Sequence, residues 1–230
     1  MKRIIAAIIF VCAIFAHNAF AQTQDNAQTS AIKRIQIPIN NSRYYIVFYK
    51  DTKPDDVPQE VYDGLWEVQK EVIDNFTYDY DVLRGRKRSP YSGWGMPTLE
   101  DYYTHGSGVC EDYSNFFILL AREKRLTENL YKVSGKRGSS GHAWLEYRTE
   151  ENRYIIDPTW SDDYSITDRQ ARQKFRESPA YGRRAFFITY EEDKIIFRKH
   201  QSYNHSSYTG KRSTPLWEKN SNEAGDQEDL

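Results

Sequence analysis

Gly108-Val109-Cys110-Glu111-Asp112-Tyr113-Ser114-Asn115-Phe116-Phe117-Ile118-Leu119-Leu120 is the stretch on which the reading of the chain turns. Val109, Tyr113, Phe116 and Leu120 recur at spacings of four, three and four, which places them on one face of a buried helix. Gly106 and Gly108 let the backbone turn sharply and approach closely just ahead of it. Cys110 therefore stands at the positive end of a helix dipole beside backbone N–H groups without helical partners, a setting that favours thiolate. The helix is expected to run to about Lys124, with Arg122, Lys124 and Arg125 at its negative end. A small, inert, buried thiol would satisfy the position of Cys110 alone equally well, so its meaning depends on what surrounds it.

Downstream the pattern changes to alternation. Tyr131 to Ser134 reads as a short strand ending in a loop from Gly135 to Gly141. His142 to Tyr147 and Arg153 to Asp157 read as an antiparallel hairpin joined by polar Arg148 to Asn152. If residues 148 and 151 flank a two-residue turn, Glu146 faces Arg153, Trp144 faces Ile155 and His142 faces Asp157, all on one side of the sheet. His142 and Asp157 would then stand with Cβ atoms about 5 Å apart. A thiol at a helix start, an imidazole on a strand and a carboxylate facing it form a Cys-His-Asp set. In such a set Cys110 attacks a carbonyl, His142 moves the proton, and Asp157 holds the imidazole in the useful tautomer. The Cys110 N–H supplies one oxyanion donor. Trp94, Tyr103 and His105 are upstream candidates for a second, which the sequence does not identify.

Upstream, Arg43 to Lys50 is β-rich and reads as a strand. Val61, Leu65, Val68 and Val72 mark an amphipathic helix from Val57 to about Asn75, with Pro58 in its first turn. Arg84 to Arg88 is a basic cluster in an exposed loop that runs to Pro97, and Thr98 caps a short helix through Tyr103. After Pro158, Thr167 to Arg176 is expected to be helical, and Phe186 to Tyr190 and Lys194 to Phe197 are expected to be two strands around an acidic turn. No spacing of Cys and His suits a metal site, no calcium loop is present, and His105, His200 and His205 lack any pairing argument.

The two ends of the chain bear on where it works. Lys2 and Arg3, the apolar run Ile4 to Phe15 and Ala19-Phe20-Ala21 form a secretory signal with cleavage near Ala21, so the expected location is secreted or periplasmic. The apolar run is too short to span a bilayer comfortably, and no membrane insertion is expected after cleavage. Cys12 lies in this leader, which leaves Cys110 without a disulfide partner in the 209 of 230 residues that remain. Residues 22–40 are expected to be a linker that becomes partly ordered, 41–217 one domain, and 218–230 a disordered polar tail. The net charge of −1 becomes about −3 without Lys2 and Arg3, with acidic and basic residues interspersed, which argues against nucleic acid as partner. The 18 Tyr and 5 Trp are read as core packing in a sheet-rich domain.

Gly108-Val109-Cys110-Glu111-Asp112-Tyr113-Ser114, then Gly141-His142-Ala143-Trp144, then Tyr154-Ile155-Ile156-Asp157-Pro158-Thr159-Trp160, in that order, resembles the transglutaminase-like domain. The resemblance is clearest over about residues 60–160. It implies an α+β, papain-like fold with the cysteine helix packed on an antiparallel sheet, and Cys110, His142 and Asp157 as catalytic triad. It implies acyl transfer on peptide or amide bonds through a thioester, with a peptide or protein substrate and no cofactor. For a small exported member, hydrolysis of the cysteine-protease or amidase kind is expected. Amine acceptance, which makes crosslinks, and a non-catalytic module holding peptide or glycan are the alternatives. Oligomeric state is not legible.

Overall fold

A computed structural model describes residues 32–40, 43–92, 97–137, 140–163, 166–199 and 208–215. The expected leader and tail lie outside them. Ile32–Asn40, expected to be linker gaining order, is a full strand (β1) paired antiparallel with β2 (Arg43–Lys50). Helix α1 (Gln59–Asn75) follows, burying Tyr62, Leu65, Val68, Val72 and Ile73 on one face. Pro58 is its N-cap rather than a first-turn residue. The chain then makes β3 (Thr77–Tyr78) and the short α2 (Tyr80–Leu83), whose first N–H groups bond the Asp79 carboxylate. The basic cluster beyond α2 is solvated, as expected, with Lys87 on Asp79 at 3.1 Å and Arg86 on Asp81 at 3.6 Å.

Helix α3 (Leu99–His105) starts on a capping box in which Thr98 and Asp101 satisfy each other's backbone N–H, and it ends on Gly106 at φ +60°. β4 (Ser107–Gly108) lies parallel to β3 and feeds α4 (Cys110–Glu123). Aromatic residues are mediocre helix formers, by several tenths of a kcal/mol each. Phe116 and Phe117 nevertheless sit in α4 fully buried, because burying each ring returns roughly 1.5–3 kcal/mol.

The main sheet holds β5 (Leu130–Arg137), β6 (Ser140–Arg148), β7 (Arg153–Ile156), β8 (Phe186–Thr189) and β9 (Tyr208–Pro215). Its order is β8-β7-β6-β5-β9, antiparallel throughout. Leu130, Leu145, Tyr147, Tyr154 and Ile156 pack into one core with α1 and α4. Val133, Trp144, Ile155, Ile188 and Tyr208 form a second core on the opposite side, as a period-two side-chain alternation requires. The architecture is α+β, with the cysteine helix packed on an antiparallel sheet. Two short helices, α5 (Pro158–Ser161) and α6 (Arg169–Arg176), connect β7 to β8.

Lys194 to Phe197 is not a strand. It belongs to helix α7 (Tyr190–Lys199). Thr189 Oγ1 accepts the Glu192 N–H at 3.1 Å while Glu192 Oε2 accepts the Thr189 N–H at 2.7 Å, so the acidic residues are a first helical turn and not a loop. Glu192 Oε1 also takes Lys50 Nζ at 2.8 Å, a buried pair that ties α7 to β2. The Gly135–Gly141 loop is shorter than expected, since β5 extends to Arg137 and Gly135 pairs with His142.

Candidate active site

Cys110 is the first residue of α4 and is half-buried. The N–H of the preceding Val109 is held by Asp112 Oδ2 at 2.8 Å. Gly108 is required by this arrangement, because a Cβ there would lie 2.5 Å from the same carboxylate oxygen. Like the other first-turn N–H groups, that of Cys110 has no helical acceptor.

The hairpin that carries the imidazole is wider than expected. Arg148 pairs with Arg153, Glu146 with Ile155 and Leu145 with Ile156, two residues out from the anticipated register. The cause lies far upstream. Asp56 accepts hydrogen bonds from Thr149, Asn152 and Tyr154 at 2.7, 2.9 and 2.5 Å, which holds a four-residue turn closed by Thr149 N–H on Asn152 O at 3.0 Å. A shift of two preserves sidedness where a shift of one would invert it. Asp157 has left the ladder and caps α5, accepting the Trp160 N–H on Oδ1 at 3.0 Å. It no longer stands opposite His142, yet the two meet: His142 Nε2 and Asp157 Oδ2 are 2.6 Å apart.

With Nε2 committed to the carboxylate, Nδ1 is the nitrogen left for sulfur, and Cys110 is near enough to contribute to raising the pKa of this ring. Burial alone would lower the His142 pKa, but the Asp157 charge and hydrogen bond, followed by those of Cys110, push it up to about 9. Asp157 is fully buried. Burial works to raise its pKa, but His142, Arg137 and Tyr208 together hold it below the usual carboxylate range. The imidazole also lies nearly parallel to the Trp144 ring at 6.0 Å. Trp144 is core, and its indole N–H donates to Tyr190 Oη at 3.1 Å, while Tyr190 Oη in turn donates to the buried Glu146.

Two residues that sequence reasoning missed complete the surroundings of Asp157. Tyr208, the first residue of β9, donates its hydroxyl to Asp157 Oδ2 at 2.7 Å. Arg137 donates to that hydroxyl, lies 3.9 Å from the same carboxylate oxygen, and is stacked between the Trp160 and Tyr208 rings at 4.0 and 4.4 Å. Of the upstream donor candidates, Tyr103 gives its hydroxyl to Glu71 and His105 stands edge-on to Tyr91. Neither is brought to the sulfur, and Trp94 lies outside the described residues. Removing the Tyr208 hydroxyl in Tyr208→Phe leaves one carboxylate lone pair unserved. The expected result is a loss of about 1–2 kcal/mol of stability, read by urea unfolding.

The sequence over residues 52–158 matches the family described as the transglutaminase-like superfamily. This stretch is a transglutaminase-like domain. The segment matched includes Cys110, His142 and Asp157. Two structures of Legionella pneumophila LapG, one of them EGTA-treated, are similar at 18% identity and a TM-score of 0.33, covering 43% of this chain and 54% or 52% of theirs. A proposed cysteine protease from Cytophaga hutchinsonii is similar at 18% identity and a TM-score of 0.30, with 47% of this chain and 43% of that one covered. The chain thus spans about half the length of these neighbours or less. No curated protein matches it. Among the described residues of the transglutaminase-like domain and its surroundings, no helix is long and apolar enough to cross a membrane, and no group of three or more His, Cys, Asp and Glu side chains could hold a metal ion.

Proposed function

We propose that this protein is an exported thiol enzyme that transfers acyl groups from peptide or amide bonds through Cys110, His142 and Asp157, with water as the acceptor. The single observation that carries the reading is the His142 ring, bonded on Nε2 to Asp157 at 2.6 Å, with its pKa raised by that carboxylate and by Cys110. An imidazole with a pKa near 9 is an imidazolium at neutral pH and can neutralise a thiolate beside it. The sulfur pair then attacks the substrate carbonyl, forming the S–C bond as the carbonyl π pair moves to oxygen. On collapse the C–N bond breaks, the amine leaves with the proton from His142, and a thioester remains on Cys110. His142, now neutral, takes a proton from water, and the hydroxide attacks the thioester to release acid and thiolate. Asp157 keeps the ring oriented and stabilises its charge throughout.

The Lys2 to Ala21 segment supports export. The test is labelling with a thiol-directed electrophile, alongside release of free acid from peptide amides and incorporation of a labelled primary amine. Cys110 is expected to label within minutes at mildly acidic pH and Cys110→Ala not at all, with acid release exceeding amine incorporation. A wild-type thiol that labels no faster than free cysteine would overturn the reading in favour of a binding module.

A further inference from the structure

An acyl-transfer site needs a second donor opposite the cysteine N–H, and neither Tyr103 nor His105 reaches the sulfur. We infer that Tyr78 is this donor: its phenol O–H, held beside the head of the cysteine helix by the β3–β4 ladder, stabilises the oxyanion formed when Cys110 attacks. The inference rests on the thiol-enzyme reading above and assigns that site a fourth reacting group.

The backbone places Tyr78 there. β3 and β4 are parallel, with Tyr78 partnered to Gly108, and the flanking bonds from Thr77 N–H to Gly106 O (2.9 Å) and Asp79 N–H to Gly108 O (2.8 Å) lock that register. Partnered residues of a ladder project to the same side. At Gly108 that side is filled by Asp112, 2.5 Å from where a Cβ would be, so it is the side on which the first turn of α4 sits. The Tyr78 ring shares it, half-buried, with its centroid 6.3 Å from that of Tyr113, the residue three positions beyond Cys110. The phenol is close enough to Cys110 and to Asp157 to feel the charge of both. With burial as the larger cause, these charges raise its pKa well above that of an ordinary tyrosine. Tyr78 therefore keeps its proton at every pH at which the site would work, as a neutral donor must. A charged donor such as lysine at this position would pair with the resting thiolate; a phenol does so weakly and reserves its stronger bond for the fuller charge on oxygen.

Two reactions of Cys110 separate this role from a structural one. p-Nitrophenyl acetate acylates the thiolate through a tetrahedral oxyanion: the S–C bond forms, the π pair moves to oxygen, and collapse expels p-nitrophenolate with no proton required. Iodoacetamide alkylates the same sulfur by direct displacement of iodide, with no oxyanion. Both rates are measured on the full chain after subtracting Cys110→Ala. Tyr78→Phe is expected to slow ester acylation about 100-fold, while alkylation stays within twofold and the thermal midpoint is unchanged. Ester acylation at the wild-type rate would overturn the assignment of Tyr78 and leave the thiol-enzyme reading intact. A parallel fall in both reactions would overturn it as well, by showing that the ring merely supports the helix. A wild type that reacts with neither reagent faster than Cys110→Ala would overturn both readings together.

Discussion

His142→Ala is expected to cut amide-bond cleavage by about 10⁴-fold or more, the scale at which loss of a base in a nucleophile–base pair is felt. Two functions fail together. The positive ring that accompanies the thiolate disappears, so alkylation of Cys110 at pH 5.5–6 is expected to drop steeply. The proton needed by the departing amine disappears too, so amide cleavage falls further than ester cleavage, in which a phenolate leaves unaided. The same logic sets the alkaline limit of the wild type. His142 donates its proton only below its pKa of about 9, so amide cleavage should decline above that pH while p-nitrophenyl ester cleavage does not decline with it. Stopped-flow alkylation and paired amide and ester profiles from pH 5 to 10 check both statements. Equal losses on amide and ester would remove His142 as the acid. The variant should also be less stable, because Asp157 would stay buried with only Tyr208, the Trp160 N–H and distant Arg137 to compensate it.

What the sequence reveals of this site follows from how locally each part is determined. The cysteine helix is legible because its apolar period, glycine entry and acidic first turn all lie within fifteen residues, and α3 because Thr98 and Asp101 cap each other within one turn. The hairpin register is not local. It is set by Asp56, more than ninety residues upstream of the turn that it holds, and no alternation within the hairpin can reveal that. The residues could still be placed on the correct side because the error was an even number of positions. Helix α7 was misread because β-branched Ile and aromatic Phe outweighed a signal that was present, the Thr189-x-x-Glu192 box. β9 sits in a polar region with no alternation, so Tyr208 became visible only when the chain brought it back beside β5. The value of Tyr78 depends on a parallel two-residue ladder with Gly108 that short-range pattern does not announce.

Asp157→Asn tests whether this carboxylate acts through charge or merely through shape, and it is expected to cost about 10³-fold in amide cleavage. The side chain is nearly isosteric, but its hydrogen bonds are not interchangeable. Oδ1 accepts the Trp160 N–H, while Oδ2 accepts from both His142 Nε2–H and the Tyr208 hydroxyl. An asparagine that keeps the helix cap with its oxygen must turn its NH₂ toward two donors. The ring escapes by moving its proton from Nε2 to Nδ1, where it faces the sulfur and can no longer accept a proton from it. Stability should change in a pH-dependent way whose sign is fixed by the shifts. The folded His142 pKa is raised from 6.5 to about 9, so its stabilising contribution is fully present below about pH 6.5 and fades as pH rises through 9. The Asp157 pKa is lowered from 3.8, so the carboxylate contributes above that value and loses its contribution as pH falls through the depressed one. Between roughly pH 4 and 6.5 the pair is at full strength, worth about 3 kcal/mol when its shared energy is counted once. Urea unfolding of the wild type should therefore show stability declining from pH 6.5 to 9, and Asp157→Asn should be less stable at pH 6 with most of that decline gone. A wild type and variant whose stabilities run parallel across this range would mean that no charge pair joins Asp157 to His142.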